Sequence, residues 1–190
     1  MKKQKLIIVE GPQGTGKTTL TNYLRDNIPG SNLYRLSGQK DKTNTGKEYS
    51  KKMYNALFEY LNSMQEIPMD LIFDRTFFTE EVYARLGYKE YDFTDIYNEL
   101  VNKLIGLNYD IYFISLYLEN VELFRKRLDR ESHHNYQSFS IENSVNQQNT
   151  YNQLVEELMN KGINIIKLPM DDFIKSYEII DDIFKLKEIR

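Results

Sequence analysis

The feature that most constrains the fold is a glycine-rich segment, Gly11–Thr18, which we call the phosphate loop. It fits G-x-x-x-x-G-K-[ST] at every fixed position, follows the apolar run Leu6–Val9, and precedes an amphipathic stretch with Leu20 and Leu24. A chain of this length contains on the order of 0.01 such matches by chance. The segment therefore predicts a strand, a tight loop and a helix that together bind the phosphates of a nucleoside triphosphate.

Each residue type in the phosphate loop supplies one part of this chemistry. The glycines let backbone N–H groups face a phosphate, and the helix N-terminus adds a positive dipole end. Lys17 can reach β- and γ-phosphate oxygens, and Thr18 can offer a hydroxyl to Mg²⁺. ATP and Mg²⁺ are therefore the expected cofactors. The predicted nucleotide contacts are Gly11, Pro12, Gln13, Gly14, Thr15, Gly16, Lys17, Thr18 and Thr19.

Short apolar runs alternate with longer amphipathic ones along the chain, which is typical of a parallel sheet covered by helices. The predicted strands are Leu6–Val9, Asn32–Leu36, Leu71–Phe73, Ile111–Leu118 and Asn164–Leu168. Because parallel neighbours need right-handed crossovers, this order predicts an α/β fold with a three-layer, doubly wound, five-stranded parallel sheet. Its ligand site should lie at the carboxyl ends of the strands. No linker or repeat divides the chain, so residues 1–190 are expected to form a single domain.

Amphipathic stripes between the strands predict the helices. The first helix starts after Thr18 and stops at Pro29–Gly30, where the chain must turn. The other predicted helices carry the stripes Met53–Met64, Ile96–Leu104 and Ile141–Leu158, and a last one, with Phe173 and Phe184, is capped by Asp171 or Asp172.

Composition narrows the function classes. Hydrophobic residues make up 41% of the 190 residues and aromatic ones 13%, enough to bury a core. A net charge of -3 and a pI near 5.5 provide no field for coating nucleic acid or an anionic membrane, so a small-molecule partner is expected. No stretch approaches the roughly 20 apolar residues of a membrane helix. The absence of cysteine excludes thiol catalysis and fits a reducing cytoplasm, the expected location.

An acid and an arginine stand at the end of the predicted third strand. Asp74 can hold Mg²⁺ or approach an acceptor hydroxyl, and Arg75 can bind a phosphate. An isolated pair of this kind is ordinarily a helix N-cap beside a solvated cation. The position of Asp74 and Arg75 relative to the phosphate loop favours a catalytic role instead. Asp74 is therefore predicted to share the metal with Thr18, and Lys17, Asp74 and Arg75 are predicted catalytic residues.

Together these segments resemble the thymidylate kinase and deoxynucleoside kinase branch of the P-loop kinases. The matching residues are Ile8–Thr19, Asp74–Arg75 with Thr79 and Tyr83 after it, and an arginine-rich segment after strand four. The resemblance implies the P-loop kinase fold, with a small helical lid at about residues 125–140. It also implies ATP-dependent transfer of a phosphoryl group to a (deoxy)nucleoside monophosphate, and a homodimer.

The resemblance further implies where the acceptor is held. Thymidylate kinases carry an arginine just after strand two, and Arg35 stands in the corresponding place. Arg35 and Arg75 would then clasp the acceptor phosphate, because planar guanidinium forks bind phosphate oxygens bidentately. Tyr54 and Phe58, on the helix after strand two, would stack on the acceptor base, although both rings equally fit a core.

The arginine-rich segment, Asn120–Glu131, carries Arg125, Lys126, Arg127 and Arg130 at the end of a helix. Phosphoryl transfer spreads negative charge over the moving group, so cations closing from a lid suit the reaction. Any one of them also fits the ordinary role of a cation at a helix C-terminus. By their match to the family's lid, Arg127 and Arg130 are predicted catalytic residues.

Three other functions stay open at this point. A deoxynucleoside kinase needs a base for a 5′-hydroxyl, and the nearest acids after strand two are Asp41 and Glu48. A kinase acting on a nucleic-acid end or a modified base would show salt-dependent binding to an oligonucleotide. A nucleotide-binding module without turnover would bind ATP and release no ADP.

Overall fold

The strands lie where the apolar runs place them. A computed structural model of the chain describes residues 3–128 and 140–186. All five predicted strands are present, and none of their ends differs from the predicted end by more than one residue. They are β1 (Lys5–Glu10), β2 (Ser31–Arg35), β3 (Asp70–Asp74), β4 (Asp110–Tyr117) and β5 (Asn164–Pro169).

The two described ranges also contain seven helices. They are α1 (Lys17–Asn27), α2 (Asn44–Met64), α3 (Phe77–Arg85), α4 (Thr94–Ile105), α5 (Glu122–Leu128), α6 (Ile141–Leu158) and α7 (Phe173–Phe184). The predicted cap of the last helix is Asp172, whose carboxylate accepts hydrogen bonds from the amides of Ile174 and Lys175. Among the described helices, none combines the length and the apolar character needed to cross a membrane.

The sequence did not predict α3, and its burial explains why. Phe78 and Val82 are fully buried, but so are the neighbouring acids Glu80 and Glu81, at 1% and 0% exposure. A helix enclosed on several sides shows no polar stripe opposite an apolar one, so periodicity cannot mark it.

The sheet is parallel throughout, in the order β2-β3-β1-β4-β5. Val9 of β1 and Arg35 of β2 both pair with Asp74 of β3, so these three strands end at the same edge of the sheet. This is the predicted doubly wound arrangement, and the edge holds the carboxyl ends of the strands.

Helices cover both faces of the sheet and give the predicted three layers. On one face Phe73 and Phe113 pack with Tyr54 of α2, Tyr97 of α4 and Leu154 of α6. On the other face the buried cluster joins the sheet to α1, α5 and α7, through Leu20, Phe124 and Ile180. The edge of the sheet that holds the carboxyl ends of the strands therefore has packed helices on both sides.

A buried ion pair fixes the loop that follows β2. Lys89 Nζ lies 2.7 Å from Glu80 Oε1, and the two side chains are 4% and 1% exposed. The same ammonium donates a hydrogen bond to the carbonyl of Gln39. Lys89 thus ties the loop between β2 and α2 to α3.

We expect Lys89→Met to lower the free energy of unfolding by about 3 kcal/mol, because it leaves the Glu80 carboxylate buried without its cation. Urea unfolding followed by circular dichroism measures the loss. Lys103→Met is the matched control, since Lys103 pairs with Glu99 on the surface, where the two side chains are 41% and 45% exposed. The control should change stability by less than about 0.5 kcal/mol. Equal losses in the two variants would contradict the prediction.

Candidate active site

The phosphate loop wraps tightly between β1 and α1, with glycines where space and backbone conformation demand them. A Cβ on Gly11 would lie 2.7 Å from the carbonyl oxygen of Leu116, and one on Gly16 would lie 2.9 Å from Cε1 of Phe173. Both glycines also have positive φ, at 147° and 92°. Lys17 folds back over the loop, where its Nζ donates hydrogen bonds of 2.7 Å to the carbonyls of Gly11 and Pro12. The loop therefore has the tight backbone geometry that its glycines predicted, and its contact with phosphates stays a prediction.

Three strand and helix ends bring polar groups together beside the loop. The hydroxyl of Thr18 donates a 2.9 Å hydrogen bond to Asp74 Oδ2, and Arg35 Nε lies 3.8 Å from the same oxygen. Asp74 is 5% exposed, whereas the Arg35 side chain is 52% exposed and also donates to Asn22. The structure thus brings together the residues that we predicted to hold the metal and one of those predicted to hold the acceptor.

The oxygen atoms of Thr18 and Asp74 suit Mg²⁺. This ion prefers oxygen ligands and is commonly bound by one or two carboxylates plus substrate phosphates and water. Over residues 3–128 and 140–186, no group of three or more histidine, cysteine or acidic side chains could hold a metal by itself. Thr18 and Asp74 therefore offer two oxygen atoms that suit such an ion.

Arg75 stands at the turn between β3 and α3 in an unusual backbone conformation, with φ of 71°. Burial disfavours its charge, but the hydroxyls of Tyr83 and Tyr151 and the carboxylate of Asp74 raise the pKa of its guanidinium above the ordinary value. Within the described part of the chain, no hydrogen bond or ion pair engages this guanidinium. A charged, unbonded fork of N–H donors in a partly buried position is suited to an anionic ligand.

Arg127 lies against the phosphate loop itself. Its guanidinium donates hydrogen bonds to the carbonyls of Gly14 (3.3 Å), Thr15 (3.4 Å) and Met170 (2.7 Å), and its Cζ is 4.8 Å from the centre of the Phe173 ring. These contacts brace the loop against the segment between β5 and α7. A contact of Arg127 with the moving phosphoryl group stays a prediction. Arg130 and most of the predicted lid lie outside the described residues.

Tyr54 and Phe58 are core residues in this structure, with 1% and 4% exposure. The ring of Phe77 packs against both, with 6.0 Å between ring centres in each pair, and the Tyr54 hydroxyl donates to the carbonyl of Thr76. The structure therefore does not open either ring to an acceptor base. The sequence left two roles open for these aromatic residues, base stacking and core packing, and the structure shows core packing.

Two residues that were not predicted from the sequence reach the phosphate loop from distant elements. The side-chain oxygen of Gln147, on α6, accepts a hydrogen bond of 3.2 Å from the Gln13 amide. Phe173, at the start of α7, packs beneath Gly16. Periodicity predicted both helices, but it could not tell which of their residues face the loop, because that depends on how the helices dock.

Comparisons with known proteins support this fold. No protein-family model matches the sequence, and no curated protein shows a significant match. Among solved structures, thymidylate kinase from Candida albicans is similar with a TM-score of 0.64 and 16% identity, over 97% of this chain and 93% of that one. Deoxyadenosine kinase from M. mycoides is similar with a TM-score of 0.65 and 17% identity, over 95% of this chain and 98% of that one.

A third similar structure is polyphosphate kinase 2 from Arthrobacter aurescens TC1, with a TM-score of 0.64 and 18% identity. This chain covers 64% of that protein, and 94% of this chain is aligned. All three neighbours are P-loop kinases. The chain therefore has the P-loop kinase fold, as the sequence resemblance predicted.

Proposed function

We propose that this chain, whose fold is that of the P-loop kinases, transfers the γ-phosphate of ATP to a (deoxy)nucleoside monophosphate. The observation that carries the proposal is that Asp74 Oδ2 lies 2.9 Å from the Thr18 hydroxyl and 3.8 Å from Arg35 Nε. Thr18 directly follows Lys17 in the chain. Groups suited to the donor triphosphate and to an acceptor phosphate thus share one corner of the sheet.

In this reaction an oxygen of the acceptor phosphate attacks the γ-phosphorus of ATP. A new P–O bond forms, the bond between the γ-phosphorus and the bridging oxygen breaks, and ADP leaves with that oxygen. The products are ADP and a nucleoside diphosphate. The attacking oxygen is already anionic at neutral pH, so the protein must supply positive charge and alignment rather than a base.

The donor half of the site consists of the phosphate loop and its lysine. In the proposed complex, backbone N–H groups of residues 13–18, at the start of α1, face the β- and γ-phosphates, and the ammonium of Lys17 swings from the loop carbonyls onto phosphate oxygens. Thr18 and Asp74 would hold Mg²⁺, which neutralises charge on the phosphates when bound.

The acceptor half consists of Arg35 and Arg75. The Arg75 guanidinium is partly buried and makes no hydrogen bond within the described ranges, so a phosphate dianion would supply the partners that it lacks. Arg35 reaches the same region from the edge strand and lies 3.8 Å from Asp74. Two guanidinium groups that approach from the ends of different strands can hold an acceptor phosphate in line with the donor.

A deoxynucleoside acceptor is the second candidate, because the similar structure from M. mycoides is a deoxyadenosine kinase. That reaction needs a base for the 5′-hydroxyl. Asp41, the first acid after β2, instead accepts hydrogen bonds from the amide and the hydroxyl of Thr43, at 2.8 and 2.7 Å. This local role favours the monophosphate over the nucleoside.

A coupled assay of ADP release, run with a panel of nucleoside monophosphates and nucleosides, tests the proposal. We expect ADP to form when a monophosphate is added, and the product to be the diphosphate. If labelled phosphate were found on the 5′-hydroxyl of a nucleoside, the proposal would be wrong and the second candidate, a deoxynucleoside kinase, would be supported. ATP binding without ADP release for every acceptor would identify a module without turnover.

We expect Arg75→Lys to raise the KM for the monophosphate about 10- to 100-fold, because lysine keeps the charge but loses the bidentate fork. The KM for ATP should change less than about threefold, since the donor contacts come from the phosphate loop. Arg85→Lys is the matched control on α3, where Arg85 pairs with Glu81 and Glu157. An unchanged acceptor KM in Arg75→Lys would remove Arg75 from the acceptor site.

A further inference from the structure

Glu10, the last residue of β1, is a fully buried acid that the proposed reaction does not use directly. Its Oε1 accepts hydrogen bonds from the amide of Thr76 at 2.6 Å and from the Thr76 hydroxyl at 3.1 Å. Its Oε2 accepts from the hydroxyls of Thr79 at 2.7 Å and Tyr151 at 3.1 Å. One carboxylate therefore joins the start of the phosphate loop, the turn between β3 and α3, and α6.

Packing alone does not explain an acid at this position. Burial raises the pKa of the Glu10 carboxyl above its ordinary value, although the hydrogen bonds from Thr79 and Thr76 act in the opposite direction. An apolar side chain of similar size fills a buried space at less cost than an acid does. The carboxylate is therefore best explained by what it holds in place.

The turn that Glu10 holds contains Arg75, whose φ of 71° lies in the left-handed region that disfavours residues with a Cβ. Such a conformation persists only where its surroundings impose it. Two hydrogen bonds flank it: the Arg75 amide donates to the carbonyl of Val9 at 3.2 Å, and the Thr76 amide donates to Glu10. The end of β1 thus fixes the backbone on both sides of Arg75.

We propose that Glu10 is a positioning residue for the acceptor site, whose carboxylate holds the Arg75–Thr76 turn so that the Arg75 guanidinium faces the acceptor phosphate. This inference rests on the proposed role of Arg75 in binding the acceptor. Without the carboxylate, the Arg75 backbone relaxes toward negative φ, and the guanidinium turns away from the cleft. The Lys17 contacts with the loop carbonyls are made outside this turn, so we expect the binding of ATP to change little.

Glu10→Gln is the main variant, because glutamine keeps the size of the side chain and places an amide N–H₂ against groups that donate. We expect the KM for the preferred monophosphate to rise at least tenfold and the KM for ATP to change less than threefold. Glu81→Gln is the matched control: Glu81 is also a fully buried acid that accepts from Thr94 and Arg85, but it lies away from the turn. This control should leave the acceptor KM unchanged.

A double-mutant cycle separates positioning from a general loss of structure. When Arg75 is already lysine, Glu10→Gln should change the acceptor KM less than twofold, because the guanidinium that it positions is gone. Independent, multiplying effects of the two substitutions would overturn the inference. An equal rise of the ATP and acceptor KM values in Glu10→Gln would overturn it as well.

Nuclear magnetic resonance provides a readout that needs no turnover. The Thr76 amide proton should resonate far downfield in the wild type and move upfield in Glu10→Gln, and the Arg75 Nε–Hε signal should shift with it. An unchanged Arg75 signal would overturn the inference. Absence of ADP from wild type with every acceptor overturns the proposed function instead, and the resonance test still decides whether Glu10 holds Arg75.

If Glu10→Gln does not fold, two milder variants replace it. Thr79→Val and Tyr151→Phe each remove one hydroxyl that donates to Glu10 Oε2. Each should raise the acceptor KM about threefold and leave the KM for ATP unchanged, since most of the hydrogen bonds to the carboxylate remain. Acceptor KM values equal to that of the wild type in both variants would contradict the role of Glu10.

Discussion

Lys17→Met lowers kcat for ADP formation about a thousandfold in our expectation, because methionine cannot neutralise the charge on the β- and γ-phosphates. In the structure the ammonium already lies at the mouth of the loop, 2.7 Å from the carbonyls of Gly11 and Pro12. Methionine fills a similar volume but cannot donate these two hydrogen bonds. The coupled ADP assay at saturating ATP and monophosphate measures the loss.

Lys103→Met serves as the control for this substitution. It makes the same chemical change on α4, in a surface pair with Glu99, and it should retain wild-type kcat. Circular dichroism should show that Lys17→Met stays folded. Wild-type turnover in folded Lys17→Met would remove the phosphate loop from the reaction.

The second large effect is expected for Asp74→Asn, which should lower kcat about a hundredfold at low Mg²⁺. Asparagine keeps the shape of the side chain and can still accept the 2.9 Å hydrogen bond from Thr18. It lacks the negative charge that attracts the cation. We therefore expect the Mg²⁺ concentration at half-maximal rate to rise, so that added Mg²⁺ restores part of the activity.

Asp70→Asn is the control on the same strand. Asp70 lies at the opposite end of β3, where it forms an ion pair with Lys5 at 2.9 Å, far from the phosphate loop. Its substitution should leave the Mg²⁺ dependence unchanged. If Asp74→Asn and wild type had the same Mg²⁺ dependence, Asp74 would not be a metal ligand.

The sequence predicted those parts of the fold that depend on local pattern. The three inner strands contain buried apolar runs, and the two edge strands, β2 and β5, are shorter apolar stretches interrupted by polar residues; all five were found within one residue. The motif around Lys17 fixed the strand, loop and helix at the start of the chain. From that unit and the parallel order, the contact between Thr18 and Asp74 followed, because both lie at the carboxyl edge of the sheet.

Other features of the fold and of the site depend on tertiary packing, which local sequence pattern does not show. Helix α3 has no polar stripe, since its acids are as buried as its phenylalanines. Tyr54 and Phe58 have the same spacing whether they line a cleft or a core, and the docking of Phe77 settles that choice. The four hydrogen bonds to Glu10 involve residues 66 to 141 positions away in the chain, so no local pattern could reveal them.

The strand order also divides the site into an interior half and a rim. Asp74 lies on β3, which has a strand on each side, whereas Arg35 lies on β2, at the border of the sheet. A change in β3 disturbs two ladders of backbone hydrogen bonds, but a change at the end of β2 disturbs one. The proposed metal ligand Asp74 and the proposed acceptor ligand Arg75, which follows the same strand, are thus anchored where the scaffold tolerates little alteration. Under the proposed function, Arg35 is the acceptor contact that can change at the smallest structural cost, so redesign for a new recipient should begin on the border strand.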